Sequence, residues 1–391
     1  MIDATFYNYM REMLKQTPTD FHRYLYDEIN WENRLIGIIG PRGVGKSTLI
    51  LQHIKEMGAP KTHLYITAES LWFSDHTLLD FADSFTAIGG QVLYIDEIHK
   101  YKGWSRELKL IYDLHPSLRV VFTGSSVLDI KKGESDLSRR VLLYKLEGMS
   151  FREYLMLNKH ISVPVYSLQQ IVNNEVDVPE LDLPLPAFHE YLMHGYYPFS
   201  NEDGYYIRLM QIISQTVEVD IPIYANLQVS TARKLRQLLA IISQIAPVKP
   251  NMSNLAQELA ISKNSVPDYL TYLETAGMIG MLRDDTAGLR GLGKIEKIYI
   301  DNSNLMYALG GDKTNIGNVR ETFFFNQMRV RNALFASKIS DFTIDRMTFE
   351  VGGKSKGQKQ IADAKQGYVV KDDIVYGYAN IIPLWHFGLN Y

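Results

Sequence analysis

Gly40-Pro-Arg-Gly-Val-Gly-Lys-Ser47, with Thr48 behind it, decides how this chain folds. The stretch fits G-x-x-x-x-G-K-[ST] in full. An apolar run at 35–39 precedes it and a helical stretch at 48–57 follows. The glycines let the loop curl until successive backbone N–H groups point inward at phosphate oxygens, and the helix N-terminus adds partial positive charge. Gly40, Pro41, Arg42, Gly43, Val44, Gly45, Lys46, Ser47 and Thr48 are therefore expected to cradle the phosphates of ATP or ADP. Lys46 would reach the β- and γ-phosphates, and Ser47 would hold Mg²⁺.

Val92-Leu-Tyr-Ile-Asp96-Glu97 supplies the complement: an apolar strand that ends in two acids. Asp96 would orient the Mg²⁺ shell, and Glu97 would polarise an attacking water as general base. The second acid argues for hydrolysis over passive nucleotide binding. Arg119-Val-Val-Phe-Thr123-Gly-Ser125-Ser126 is another apolar strand closed by hydroxyls. If it lies between the other two strands, Ser125, or Thr123 after it, would face the γ-phosphate; hydroxyls that merely terminate a strand look the same. Ser138-Arg139-Arg140 offers two guanidiniums before the next strand. One of them would act as an arginine finger, in its own chain or a neighbour's, unless the pair is only solvated charge.

Apolar runs at 35–39, 63–67, 92–95, 120–123 and 141–146 alternate with helical stretches, which argues for a parallel sheet covered on both faces. The expected fold is α/β: a RecA-like P-loop core, then a helical connector, a winged helix and a small C-terminal α/β domain. The boundaries expected are 1–157, 158–228, 229–305 and 306–391. Ser150-Phe-Arg-Glu153 has the form of a capping box. From 160 to 207 there is no Lys or Arg, against seven acids, so that connector would repel phosphates.

These motifs together carry a resemblance. GPRGVGKST, YIDEIHK, FTGSS, SRR and MSFREYL resemble a family of bacterial and archaeal ATPases of the AAA+ superfamily, whose members couple the ATPase core to a winged helix and a C-terminal domain of unknown function. The resemblance covers most of the chain. It implies a preference for ATP, a Walker-B strand two places from the P-loop strand, and a cytoplasmic protein. One departure is Met149, where a proline is usual.

Composition sets outer limits. The chain has 391 residues, 41 Lys and Arg against 44 Asp and Glu, and no cysteine. So balanced a charge does not mark a dedicated nucleic-acid or membrane binder, and thiolate nucleophiles and Cys-based zinc sites are excluded. Asp3, Arg11 and Glu12 interrupt the apolar core a signal peptide would need, and no apolar run is long enough to span a bilayer, so a soluble cytoplasmic protein is expected.

Residues 253–300 show the pattern helix, turn, helix and two strands, as in a winged helix. The second helix carries Lys263 against Asp268 and Glu274, too little positive charge for strong DNA contact, so a protein contact or self-association is the favoured partner. Further on, Glu321, Asp341, Glu350 and Lys354 resemble the metal site of a restriction-endonuclease-like fold. There the Lys usually follows the acid by two residues; here Gly352-Gly353 intervene, which predicts the fold without cleavage. The function expected is Mg²⁺-dependent ATP hydrolysis driving a conformational change. The alternatives are a nucleotide-gated switch or scaffold with incidental turnover, and a DNA-acting ATPase or nuclease in defence or mobile-element functions.

Overall fold

The structure, a computed structural model, describes residues 4–124, 137, 139–225, 227–285 and 293–391. The chain divides into two compact units between Glu147 and Gly148.

The first unit is built on a five-stranded sheet of β1 (Leu35–Ile39), β2 (His63–Thr67), β3 (Val92–Asp96), β4 (Arg119–Gly124) and β5 (Leu142–Lys145). Its order is β2-β3-β4-β1-β5, every pairing parallel. β1, β3 and β4 lie inside the sheet and read as unbroken apolar runs because helices cover both faces. The helices are α1 (Ala4–Gln16), α2 (Lys46–Glu56), α3 (Leu78–Ala87) and α4 (Trp104–Leu114). Gly37 allows the close packing at the centre. A Cβ there would lie 2.7 Å from the Phe122 ring of β4 and 2.5 Å from Leu143 of β5. The Walker-B strand does stand two places from the P-loop strand, with β4 between them.

The chain leaves β1 towards β2 on one flank and later adds β5 on the other. This reversal of strand order opens a crevice at the C-terminal ends of the strands, where α/β sheets bind ligands. Residues 40–47, Asp96-Glu97 and Thr123 all lie at that end.

The second unit begins with the capping box at Ser150 and Glu153, whose two reciprocal bonds start the helix Phe151–Lys159. Met149 lies just before it, and its N–H donates to the Tyr196 carbonyl at 2.7 Å. A proline there would lack that donor, which gives the departure from the family pattern a physical setting. The helices Met252–Leu259 and Val266–Thr275 precede an antiparallel hairpin of β6 (Ile279–Arg283) and β7 (Ile295–Ile300).

A second five-stranded sheet closes the unit, from β8 (Leu334–Ala336), β9 (Phe342–Ile344), β10 (Met347–Gly352), β11 (Gly367–Lys371) and β12 (Ile381–Pro383). β8, β9 and β10 run antiparallel, whereas β10, β11 and β12 run parallel. The apolar run at 382–386 yields strand only as far as Pro383. The segment Leu384–Leu389 turns into a 3₁₀ helix buried along its whole length.

His386 in that helix is 4% exposed, and burial pulls its imidazole down to about 3. The unfolded chain takes up a proton near pH 6.5 that the folded chain refuses. Stability from this group is thus complete above the unfolded value and is lost as pH falls below it. Between pH 7 and 5 the loss is expected to be about 2 kcal/mol. Denaturant melts of the wild type and His386→Phe at both pH values check this. Equal pH slopes in the two proteins would contradict it.

Among the described residues, no helix is long and apolar enough to cross a membrane.

Candidate functional site

The loop after β1 has the conformation its glycines predict. Gly43 and Gly45 adopt φ of +78° and +95°, in the region that favours glycine, and Gly45 is the residue from which α2 starts. Gly40 serves by close approach, since a Cβ there would lie 2.1 Å from the Leu146 carbonyl oxygen. Lys46 is buried, and its Nζ donates to the carbonyls of Gly40 at 3.0 Å and Pro41 at 2.7 Å. The ammonium is thereby held over the inner rim of the loop. Ser47 and Thr48 follow in the first turn of α2.

Asp96 is the hub of the site. Its Oδ1 accepts hydrogen bonds from Ser47 Oγ, at 3.0 Å, and from Thr123 Oγ1, and its Oδ2 accepts one from Tyr65 OH at 2.7 Å. P-loop, β2, β3 and β4 are tied together through this one carboxylate. The serine hydroxyl and the carboxylate are hard oxygen donors side by side, a set that fits Mg²⁺. Burial first, and then the Asp96 charge, hold Tyr65 far above the ordinary tyrosine value, so its hydroxyl remains a donor.

Glu97 follows in the left-handed region, at φ +53°, which turns the chain sharply out of β3. Its N–H donates to Thr123 Oγ1 at 3.0 Å, and its carboxylate lies 3.5 Å from His99 Nε2. Thr123 is fully buried and uses its hydroxyl twice, donating to Asp96 and accepting from Glu97. Ser125, the first choice from sequence for the hydroxyl at this end of β4, lies outside the described residues.

Arg139 and Arg140 do not join the site of their own chain. They lie just before the start of β5, whose first residue, Leu142, pairs with Ile36 near the start of β1. That is the edge of the sheet opposite the phosphate loop. Arg140 is held there by Asp113 at the end of α4, through bonds of 3.0 and 3.1 Å. The structure therefore does not bring Arg140 to the phosphate loop of its own chain.

Two contributors carry no motif. Tyr65 is one. The other is Arg23, buried in the segment between α1 and β1, which donates to the Val44 carbonyl in the loop and to the Glu147 carbonyl at 2.7 Å. It props the phosphate loop from outside.

The acids of the second unit form a different arrangement from the metal site they resemble in sequence. Lys297 of β7 bridges Glu321 at 3.0 Å and Asp341 at 3.1 Å. Burial lowers the Lys297 value, but the two carboxylates outweigh it and hold the ammonium above its usual range. Burial and the Asp341 charge push Glu321 up, against the pull of Lys297. Glu350 is paired with Lys356, not Lys354, and accepts a bond from Ser340. Glu321, Asp341 and Glu350 do not converge on a common point as a three-carboxylate metal set. The glycine pair ends β10 at Gly352 and lets the chain turn back, which delivers the later lysine to the acid.

Sheet order, loop and acid pair define a P-loop nucleotide-binding protein of RecA-like fold. Residues 32–155 match the family model of the AAA domain, a match that supports an AAA+ P-loop ATPase core. Residues 185–316 match a domain of unknown function, which falls on the connector and the helix–hairpin segment. An uncharacterized protein of Methanocaldococcus jannaschii is 28% identical over 275 residues, and the match spans 64% of this chain and 57% of that protein. Among solved structures, the Walker-type ATPase PABY2304 of Pyrococcus abyssi aligns at a TM-score of 0.43 with 16% identity, covering 76% of this chain and 99% of that one. The RuvB Holliday junction branch migration motor of Thermotoga maritima aligns at 0.31 with 15% identity, covering 70% and 89%.

Proposed function

We propose that this chain binds ATP with Mg²⁺ and hydrolyses the β–γ bond to drive a conformational change. The observation that carries the proposal is the Asp96 hub, which joins Ser47 of the phosphate loop to Thr123 and, through Thr123, to the backbone of Glu97. Backbone N–H groups of the loop and the Lys46 ammonium bind the β- and γ-phosphates and stabilise the charge that spreads over them in the transition state. The metal, held by Ser47 and by Asp96 directly or through water, would neutralise phosphate charge. Glu97 accepts a proton from the water whose oxygen attacks γ-phosphorus, while the bond to the bridging oxygen breaks and ADP leaves. Thr123 fixes where Glu97 stands. ADP formation by the purified chain, present with Mg²⁺ and lost with chelator, tests this. A chain that binds ATP and forms no ADP above the chelated background would move the reading to a nucleotide-gated switch.

A nuclease reading has less support. Lysines already neutralise the acids of the second unit, and Gly352-Gly353 break the strand that would hold a catalytic lysine. The cations around the hairpin are likewise engaged: Arg283 by Glu274, and Lys249 and Lys294 by Glu296. Cleavage of single- or double-stranded DNA with Mg²⁺ or Mn²⁺ is expected to be absent, with ATP or without. Cleavage that disappears in both Asp341→Ala and Glu350→Ala would reverse this reading.

A further inference from the structure

Far from any motif, the second unit gathers one histidine and two neighbouring acids at the wall of a cavity of about 380 Å³. His189 comes from the helix Pro184–His194, and Asp372 and Asp373 follow β11 directly. Successive residues of a strand point to opposite faces. Here the strand has ended at Lys371 and Asp373 sits at φ +61°, which turns both carboxylates to the same side.

The spacing of the three donor atoms is the informative quantity. His189 Nε2 lies 3.6 Å from Asp372 Oδ1 and 3.3 Å from Asp373 Oδ1, and all three atoms lie within 4.8 Å of one another. A tetrahedral ion with bonds of about 2.0–2.2 Å separates its ligands by about 3.3–3.6 Å. Both His–Asp separations fall in that interval. The carboxylates are also divided in the way a metal site needs. Their Oδ1 atoms face His189, while their Oδ2 atoms are gripped by Arg320, Nε to Asp372 at 2.7 Å and the terminal nitrogen to Asp373 at 3.0 Å. Arg320 thus stands as an outer partner that orients both carboxylates, and Asp372 Oδ1, which faces His189, also accepts the Asp373 N–H at 2.8 Å.

We propose that His189, Asp372 and Asp373 form a site for one divalent transition metal of the zinc class. One imidazole nitrogen and two carboxylate oxygens suit such an ion better than Mg²⁺ or Ca²⁺, which prefer oxygen alone. Three protein ligands leave the fourth position open, towards a cavity whose other walls include Leu192, Met193 and Val319. Charge defines what that position takes. Two carboxylates and Arg320 sum to −1 with neutral His189, so a divalent ion brings the site to +1. The open position therefore takes an anionic oxygen, a hydroxide or a carboxylate, with any attached apolar group lying in the cavity.

The test uses the untagged full chain, stripped with chelator, loaded with Zn²⁺ and passed over a sizing column. One zinc per chain is expected in the wild type and in Glu321→Gln. Affinity should fall at least about tenfold, the scale already reached when only an outer partner is lost, in His189→Gln and in Asp373→Asn separately. Co²⁺ loading of the wild type gives a second readout that needs no variant, an intense visible band of a tetrahedral ion. No retained zinc and only a pale octahedral cobalt spectrum would show that the three groups form an ion pair and nothing more. Equal retention in both variants would place the metal elsewhere and overturn the assignment as well.

Discussion

Asp96→Ala is expected to lower ATP turnover by at least about 10²-fold and to destabilise the first unit by about 2–3 kcal/mol. The rate loss follows because the carboxylate fixes groups from two neighbouring strands and the loop, and a misplacement of about an ångström at a reacting centre costs about 10² in rate. The stability loss follows from hydrogen-bond arithmetic. Thr123 and Tyr65 lose an acceptor in a buried setting and Ser47 in a half-buried one, at about 1 kcal/mol apiece. Thr123→Val separates position from charge. It keeps the shape of a fully buried side chain, leaves the Asp96 side chain in place and removes the hydroxyl that joins it to the Glu97 backbone. Turnover should drop at least about tenfold with ATP affinity nearly unchanged. Calorimetric ATP titrations beside steady-state rates check both variants. A Thr123→Val protein with wild-type turnover would detach Glu97 placement from this hydroxyl.

Lys46→Ala is expected to weaken ATP binding by about 10²–10³-fold, which leaves no binding measurable at ordinary protein concentrations. The ammonium is a charged side-chain donor held at the inner rim of the loop, and hydrogen bonds to charged partners are worth about 1.5–3 kcal/mol each. Two such bonds to phosphate oxygens account for the loss. The variant should remain folded, because the carbonyls of Gly40 and Pro41 lose a donor at the rim of the loop and not in the sheet. Calorimetry with ATP and a thermal melt on the same sample check the pair of statements. Affinity within about threefold of wild type would mean that the loop is not where phosphate binds.

Much of the first unit was legible in sequence because its signals are local. Buried parallel strands are apolar throughout, so 35–39 and 63–67 stand out with their observed bounds, and the loop glycines report backbone conformations that other residues avoid. Tyr65 was not legible. Its role depends on β2 lying beside β3 with Tyr65 opposite Tyr94, which places its hydroxyl within reach of Asp96, and neighbouring strands leave no spacing signal in the chain. Arg23 belongs to no motif, and the acceptors by which it reaches the loop and Glu147 are carbonyls, which any sequence provides. The placement of Arg140 follows from the direction of β5: a residue just before a parallel strand lies at the edge away from the site. In the second unit Lys354 is the first lysine after Glu350 in sequence, whereas the strand ends at Gly352 and the chain beyond it brings Lys356 to the acid. The His189 cluster is read only from the fold, since its members are 183 residues apart in sequence, from 189 to 372.

The central claim is that Glu97 takes the proton from the attacking water at a site organised by Asp96. Single-turnover quench measurements, with enzyme in excess over labelled ATP, isolate that step from nucleotide exchange. Wild type and Glu97→Gln should bind ATP to the same extent, and the rate of phosphate formation should fall at least about 10²-fold in the variant, the size expected for losing a general base. Equal single-turnover rates at equal occupancy would remove Glu97 from the chemistry and contradict the mechanism proposed for this site.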